Sequence, residues 1–373
     1  MKVRKGCSME QDEARAVREL ATKIKQPGSS VSCIFASSNF DLEKLGSELR
    51  SAFRGPVIGC TTSGEITPQG YAQGTLCGFS IVSKELKAHP FMITSLKNFD
   101  ATGMEDVVKS LQNILSRTLK VSPEARAFGL LFIDGLCTME EQVVAILANA
   151  LEDVPIVGGS AGDDLKFEKT HVYSKGGFVS DAGIFTLFVT TLPFTPIKTQ
   201  HFRASDTRLV ITKASPEKRI VYEINGRPAA QEYARVVGID TNELAPMVFS
   251  TYPVMLRFGG EYYVRSIQKM NEDGSLTFYC AIDEGLVLRI ANGENLVDNL
   301  SEAFEQARIK IPRIKLTIGC DCILRLLEVK HKGLQDQVNK IMMENNVVGF
   351  NTYGEQFNSV HVNQTFTGIV LGE

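Results

Sequence analysis

The chain has 373 residues, 43% of them hydrophobic and 22% charged, which is enough for two domains with their own cores and too apolar for a disordered protein. Forty basic against 43 acidic residues leave a net charge of −3, so the electrostatic footprint of a primary nucleic-acid binder is missing. No apolar run is long enough to span a bilayer. The opening "MKVRKGCSMEQDEARAV" has basic residues without an apolar stretch behind them, so no secretory signal is read and the expected compartment is the cytoplasm.

In chain order, the first clear element is the β-rich run "SVSCIFASS". It is followed by a segment with Leu42, Leu45, Leu49 and Phe53 at helical spacing, then by "PVIG" and the glycine turn "GCTTSGEI". The same order recurs at "ARAFGLLFID", where a helix carries Val143, Ile146, Leu147 and Ala150 on one face before "VPIVG" and "GGSAGDD". It recurs again at "IKLTIGCDCIL", with Leu334, Val338 and Ile341 or Met342 in register before "NVVG" and "GFNTYGEQ". Strand, helix, buried strand and glycine turn take about 35 residues each time, the length of a βαβ unit. Antiparallel strands such as "GTLCGFSIVS", "GIFTLFVTT" and "HVNQTFTGIVLG" follow each turn. The expected fold is α/β (α+β), with duplicated strand–helix–strand units and mixed sheets in two domains.

Near residue 195, "TTLPFTPIKTQHF" reads as a crossover, which divides the chain into residues 1–195 and 196–373. Beyond it come two strands, an "NG" turn, a helix starting near Pro228, and strands around a "DG" hairpin.

Glycine lets a backbone leave a buried strand and turn at positive φ, and the acid behind each turn (Glu65, Asp163 or Glu355) can accept from the turn's amides. Turn chemistry alone explains such segments. The functional alternative is one cleft lined by Gly59, Thr61, Thr62, Ser63, Gly64, Ser160, Gly162, Thr352, Tyr353 and Gly354, facing a small ligand. Eight cysteines in a chain this long are not a disulfide framework. Cys33, Cys77 and Cys280 read as buried thiols. Cys320 and Cys322 form a C-x-C pair. With Cys7 or a histidine it could hold zinc or an iron–sulfur cluster, or it is simply part of an alternating strand.

"GCTTSGEI" followed by "GGSAGDD" resembles the amino-terminal half of FIST proteins, and "INGRPAAQEY", "CDCILR" and "GFNTYGEQFNSVHVNQTFTG" resemble the carboxy-terminal half. The resemblance spans almost the whole chain and implies a sensory module that binds a small ligand. "YYVRSIQ", "CAIDEGLVL" and "CDCILR" resemble the nitric-oxide-sensing branch, NosP. That branch implies heme b, nitric oxide as the signal, and a partner histidine kinase or cyclic-di-GMP signalling protein that controls biofilm. It leaves room for a homodimer and needs neither nucleic acid nor membrane.

A haem needs an axial ligand and cations for its propionates. No C-x-x-C-H occurs. His361 beside the third turn, His201 at the crossover and His171 at the matching place in the second unit are the ligand candidates, in that order, with cysteine, Tyr353 or no ligation as alternatives. His331 lies in a charged stretch and His89 at a strand edge. Arg265 and Arg227 could anchor propionates. No G-x-S-x-G, H-E-x-x-H, Walker loop or dinucleotide fingerprint is present, so a non-catalytic sensor is expected. Other readings are a sensor of another small ligand such as an amino acid, and a cysteine-based redox sensor.

Overall fold

The structure, a computed structural model, describes residues 1–99 and 101–373, without the side chains of Ala101 and Thr102. It is a mixed α/β fold. Each of the three repeats builds a sheet around a parallel strand pair: Val31–Ser37 with Val57–Thr62, Arg126–Ile133 with Ile156–Ser160, and Ile314–Cys322 with Val347–Thr352. In each, the first strand of the pair also takes an antiparallel neighbour: Leu76–Val82, Ala182–Thr190 or Phe366–Gly372. An outer strand completes that side: Lys2–Ser8, Leu86–Thr94 or Phe194–Thr199. The predicted crossover thus contains the edge strand Phe194–Thr199, and an edge is where Pro196 is tolerated.

The far edge of every sheet comes from another repeat. After its glycine turn, each unit sends out a short hairpin that pairs with a neighbour. Glu65–Thr67 and Gly70–Ala72 of the first unit join the third sheet. Val172–Ser174 and Gly177–Val179 of the second join the first sheet, while Glu355–Phe357 and Val360–Val362 of the third join the second. The exchange is cyclic, so the three sheets enclose one core. At its centre Phe35, Phe132 and Phe350 meet with ring centroids 5.1–5.7 Å apart. Full burial of a Phe side chain stabilises by about 1.5–3 kcal/mol.

Helices cover the outer faces. Leu42–Ala52 starts where Asp41 accepts from the amides of Glu43 and Lys44 (both 3.1 Å), and buries Leu45 and Leu49 as the spacing predicts, with Phe53 capping its end. Glu140–Leu151 buries Val143, Val144, Leu147 and Leu151, a face slightly rotated from the expected one. In the third unit the strand stops at Cys322, and two helices follow, Ile323–His331 and Gln335–Glu344, where the pattern suggested one. The break falls at Gly333, in the left-handed region at φ 65°.

The first glycine of each motif has a different physical reason from the one expected. Gly59, Gly158 and Gly349 are not at positive φ. A Cβ there would lie 1.8–2.1 Å from a carbonyl oxygen of the adjacent parallel strand, so what these positions require is close approach of the two strands.

Between the crossover and the third unit lies a separate eight-stranded antiparallel sheet, residues 202–293, with its own core around Ile211, Tyr233, Phe249 and Phe278. The predicted Asn225–Gly226 turn, the helix Ala229–Val237 and the Asp273–Gly274 hairpin are all present.

Candidate functional site

The hairpin exchange brings the three glycine turns together. Ser63 N–H donates to Asn351 O (3.1 Å) and Asn351 N–H to Gly64 O (2.8 Å), which ties the first turn to the third. Gly162 N–H donates to Thr61 O (3.1 Å), tying the second to the first. Ser160 N–H donates to Gly354 O (2.8 Å) and Tyr353 N–H to Ser160 O (3.2 Å), tying the third to the second. Thr61, Thr62, Ser63, Glu65, Ser160, Asp163, Thr352, Tyr353 and Glu355 are all buried. A Cβ on Gly162 would lie 2.2 Å from Ser63 Oγ. The turns gather as the sequence suggested, but they press on one another directly.

The acids behind the turns act as clamps. Glu65 accepts from Thr62 Oγ1 and from the amide (3.0 Å) and hydroxyl (2.7 Å) of Thr75. Glu355 repeats this with Thr352 and with the amide (3.1 Å) and hydroxyl (2.8 Å) of Thr365. Their donors are threonines, not the turn amides expected. Burial pushes the carboxyl of Glu65 up to about 7 and that of Glu355 to about 8. Asp163 does serve its own loop, accepting from the amides of Phe167 (3.0 Å), Glu168 (2.8 Å) and Lys169 (2.9 Å), and it also accepts a hydrogen bond from the Tyr353 hydroxyl.

Beside the third turn, the Glu355–Val362 hairpin meets the inserted sheet along a polar, buried seam. Gln356 lies across the ladder from His361, and its Nε2 donates to His361 Nδ1 (3.1 Å) and to Ser160 Oγ (3.1 Å). An amide nitrogen cannot accept, so the neutral imidazole carries its proton on Nε2. From the inserted sheet, Arg265 Nη1 donates to His361 O (3.3 Å) and Ser266 N–H to Asn363 Oδ1 (3.1 Å). Arg219, at φ 55°, bridges Glu140 and Glu141 at 2.6 Å each, and Ala281 N–H also donates to Glu141 (2.6 Å). Burial alone would raise Glu141, but His361, Arg219 and Arg265 hold its carboxyl below the usual range. Burial lowers His361. Among the described residues, five polar atoms of this seam are buried without a hydrogen-bond partner: His361 Nε2, Arg265 Nε, Ser266 Oγ, Gln356 Oε1 and Asn363 Nδ2.

His201 is placed otherwise. Its Nε2 meets Glu328 (2.8 Å) and its Nδ1 meets Arg325 Nη1 (2.9 Å), so both ring nitrogens are engaged. Arg325 also donates to Asp321 (2.8 Å), which takes the Tyr71 hydroxyl, and Lys332 donates to Glu328 (2.6 Å). His171 is half-buried, and its carbonyl and amide hold Thr61. Arg227 is exposed, 3.7 Å from Glu232. Cys320 packs in the central core and Cys322 beside Tyr353, and burial pushes both thiols well up. Among the described residues no group of three or more His, Cys, Asp or Glu is placed to hold a metal ion, and Cys7 lies on the outer strand of a different sheet.

The fold and its turns match two family models: FIST N domain over residues 30–227 and FIST C domain over residues 229–358. The chain belongs to the FIST family. Its two domains are therefore FIST N and FIST C, and the protein is a FIST-domain signalling protein. It is also similar to an uncharacterized protein of Methanocaldococcus jannaschii, 24% identical over 398 aligned positions that cover 95% of this chain and 76% of the other. In this FIST chain the central core draws residues from both domains, Phe35 and Phe132 from FIST N and Phe350 from FIST C. The seam does the same: Arg219 and Glu140 lie in the first matched region, and Arg265 and Gln356 in the second. Among the described residues no helix is long and apolar enough to cross a membrane.

Sequence reading found His361, Arg265 and Tyr353 singly but missed Gln356, Asn363, Arg219, Glu140 and Glu141. Arg219 and Glu140 are 79 residues apart, and no local spacing signals such a pair.

Proposed function

We propose that this FIST protein is a non-catalytic sensor that takes a small guest at the seam around His361 and reports it to a signalling partner, a histidine kinase or a cyclic-di-GMP enzyme. The observation that carries this reading is the set of five unpartnered buried polar atoms where the inserted sheet meets the exchanged hairpin. Buried polar groups in folded proteins are nearly always satisfied, so a cluster of exceptions points to a missing partner. A guest that bridges the two sides favours their closed arrangement, and that differential affinity is what a sensor needs.

A second reading, heme b with nitric oxide as the signal, draws on the unpartnered Nε2 of His361, which would have to shed its proton to bind iron, with Arg265 alongside; His171 Nδ1 is also buried without a partner. The space argues for a smaller guest. The imidazole edge is so close to the third turn that a Cβ on Gly354 would lie 2.3 Å from Cε1 and 2.6 Å from Nε2, and Asn363 stands on the same side. That crowding favours a smaller guest than a macrocycle. His201 would have to surrender Glu328 or Arg325 to bind iron, and the cysteine-based redox reading has only the core thiols Cys320 and Cys322.

The test is to express the protein with haem precursor, record its visible spectrum reduced with and without nitric oxide, and in parallel measure hydrogen exchange at residues 261–266 and 355–363 with a fractionated metabolite extract. Protection of both segments by a colourless fraction is the expected result. A Soret band that moves with nitric oxide and disappears in His361→Ala replaces the small-guest reading with the haem one. Unchanged exchange with every fraction, in a colourless protein, removes both.

A further inference from the structure

Three arginines are buried among the described residues: Arg219, Arg265 and Arg325. Arg219 has Glu140 and Glu141, and Arg325 has Asp321. Arg265 makes no ion pair among the described residues. Its Nη1 reaches the His361 carbonyl at 3.3 Å, the guanidinium lies beside the Cys280 thiol and within the field of Glu141, and its Nε has no acceptor. A guanidinium does not lose its charge on burial. Without an anion in contact it is among the least favourable groups a fold can enclose.

The unpartnered atoms around it share one character. The ring of His361, with Nδ1 occupied by Gln356, presents an N–H at Nε2. Asn363 has its oxygen fixed by Ser266 N–H, so its amide nitrogen is the free end. A Cβ on Gly354 would be 2.6 Å from His361 Nε2 and 3.1 Å from Asn363 Nδ2, so both donors pack against the third turn, and a guest reaches them only from the side of the inserted sheet. Ser266 supplies a hydroxyl, and Gln356 Oε1 is the one pure acceptor. Four donors against one acceptor, around a cation with no carboxylate in contact, is a set that an acceptor-rich anion would complete.

We propose that the guest of the seam is a small oxyanion, a carboxylate or a phosphate, held by Arg265 with His361, Asn363 and Ser266, and taken up together with a proton on His361. This rests on the sensing reading above and names its ligand class. The proton follows from the charges that face His361. Glu140 and Glu141 approach from the helix Glu140–Leu151, and Arg219 and Arg265 from the inserted sheet. Arg219 is committed to the two glutamates, so an anion on Arg265 adds negative charge beside a ring that burial otherwise keeps neutral. Anion and imidazolium then stabilise each other. The affinity strengthens as pH falls, by up to about tenfold per pH unit for one proton.

The experiment is thermal unfolding of the full chain between about pH 6 and pH 8. Sodium acetate and sodium phosphate are titrated at an ionic strength fixed with sodium chloride, with acetamide and methylammonium chloride as neutral and cationic probes. The expected result is a saturable rise of the midpoint with acetate or phosphate only, stronger at lower pH. Arg265→Gln abolishes it, and without added oxyanion that variant unfolds at the wild-type midpoint or above, because it has lost a buried charge with no carboxylate in contact. His361→Asn, which keeps a donor but cannot titrate, binds with a flat pH profile. A saturable rise with acetamide or methylammonium and none with the oxyanions overturns the anion and leaves the sensing site standing. No rise with any probe, with Arg265→Gln destabilised or unable to fold, shows Arg265 to be a satisfied structural group. That also overturns the anion, and the sensing reading is then decided by its exchange measurement.

Discussion

Two buried histidines with buried arginines beside them sit in this molecule, and they differ in one respect. Around His201 the side chains form a continuous chain of pairs, Tyr71 to Asp321 to Arg325 to His201 to Glu328 to Lys332, that links the first unit's hairpin to the third unit's strand and helix. In that chain one buried atom, Arg325 Nη2, lacks a partner, whereas around His361 the same residue types leave five atoms open on both sides of a seam. Burial alone therefore does not mark a functional histidine. A nearly satisfied network rigidifies the fold, whereas one with several open atoms holds a place for something else.

The largest expected effect breaks the satisfied side. Arg325→Ala leaves Asp321 buried without its cation and removes the His201 contact. A loss of about 3–5 kcal/mol, read from urea unfolding, is expected for a broken buried pair. A loss below about 1 kcal/mol would mean that the chain of pairs is no more structural than the seam, and the contrast would fail.

The two histidines can then be compared with each other. His201→Ala and His361→Ala remove similar amounts of buried ring, but the first takes one partner each from the charged Glu328 and Arg325, while the second frees only the neutral Gln356. His201→Ala should be the more destabilising by about 1–3 kcal/mol in the same unfolding assay. Equal losses would show that the open nitrogen of His361 has a partner after all.

These contrasts also show what could be read from residues alone. The repeats were legible because each carries its own periodicity: Leu45 and Leu49 on a helix, then a β run, then glycine. Helix breaks were harder, since "CDCILRLLEVKH" turns from strand to helix at Ile323 without a glycine or proline to mark it. The convergence of the turns was guessed, but its cause was hidden. Hairpin exchange pairs Phe350 with Glu65 and Gln356 with Gly158, contacts between residues roughly 200 or more apart that no window contains. The seam was invisible as a unit for the same reason. Arg265 and His361 stood out by type, but whether an arginine is paired is a property of the packed chain. Arg227 and Arg265 looked alike until the fold placed one in solvent and the other in the interior.

The glutamate clamps behind the turns sharpen the comparison from a third direction. Glu65 and Glu355, raised to about 7 and about 8, stay protonated in the folded chain at pH values where an unfolded glutamate is ionised. The native state then binds more protons than the unfolded one. Stability should fall as pH rises from about 5 towards 8, by up to about 1.4 kcal/mol per pH unit for each group. Glu355→Gln keeps the hydrogen-bonding shape without the charge. It should flatten part of that slope and be as stable as wild type, or about 1 kcal/mol more so, near pH 8 in urea titrations. A steeper slope in the variant would mean that the carboxylate, not the neutral acid, is what Thr352 and Thr365 stabilise.

The smallest effect belongs to the arginine that the fold leaves outside. Arg227 is exposed, and its partner Glu232 is already held by Arg235 (2.7 and 2.8 Å) and Asn225 (2.9 Å). Arg227→Ala should therefore change stability by less than about 0.5 kcal/mol, as exposed ion pairs do. It should also leave any guest-induced exchange protection at residues 355–363 untouched. Stability loss on the scale of Arg325→Ala, or a lost response to the guest, would place a binding surface on the outer edge of the inserted sheet. The difference between the two histidine clusters would then describe packing alone.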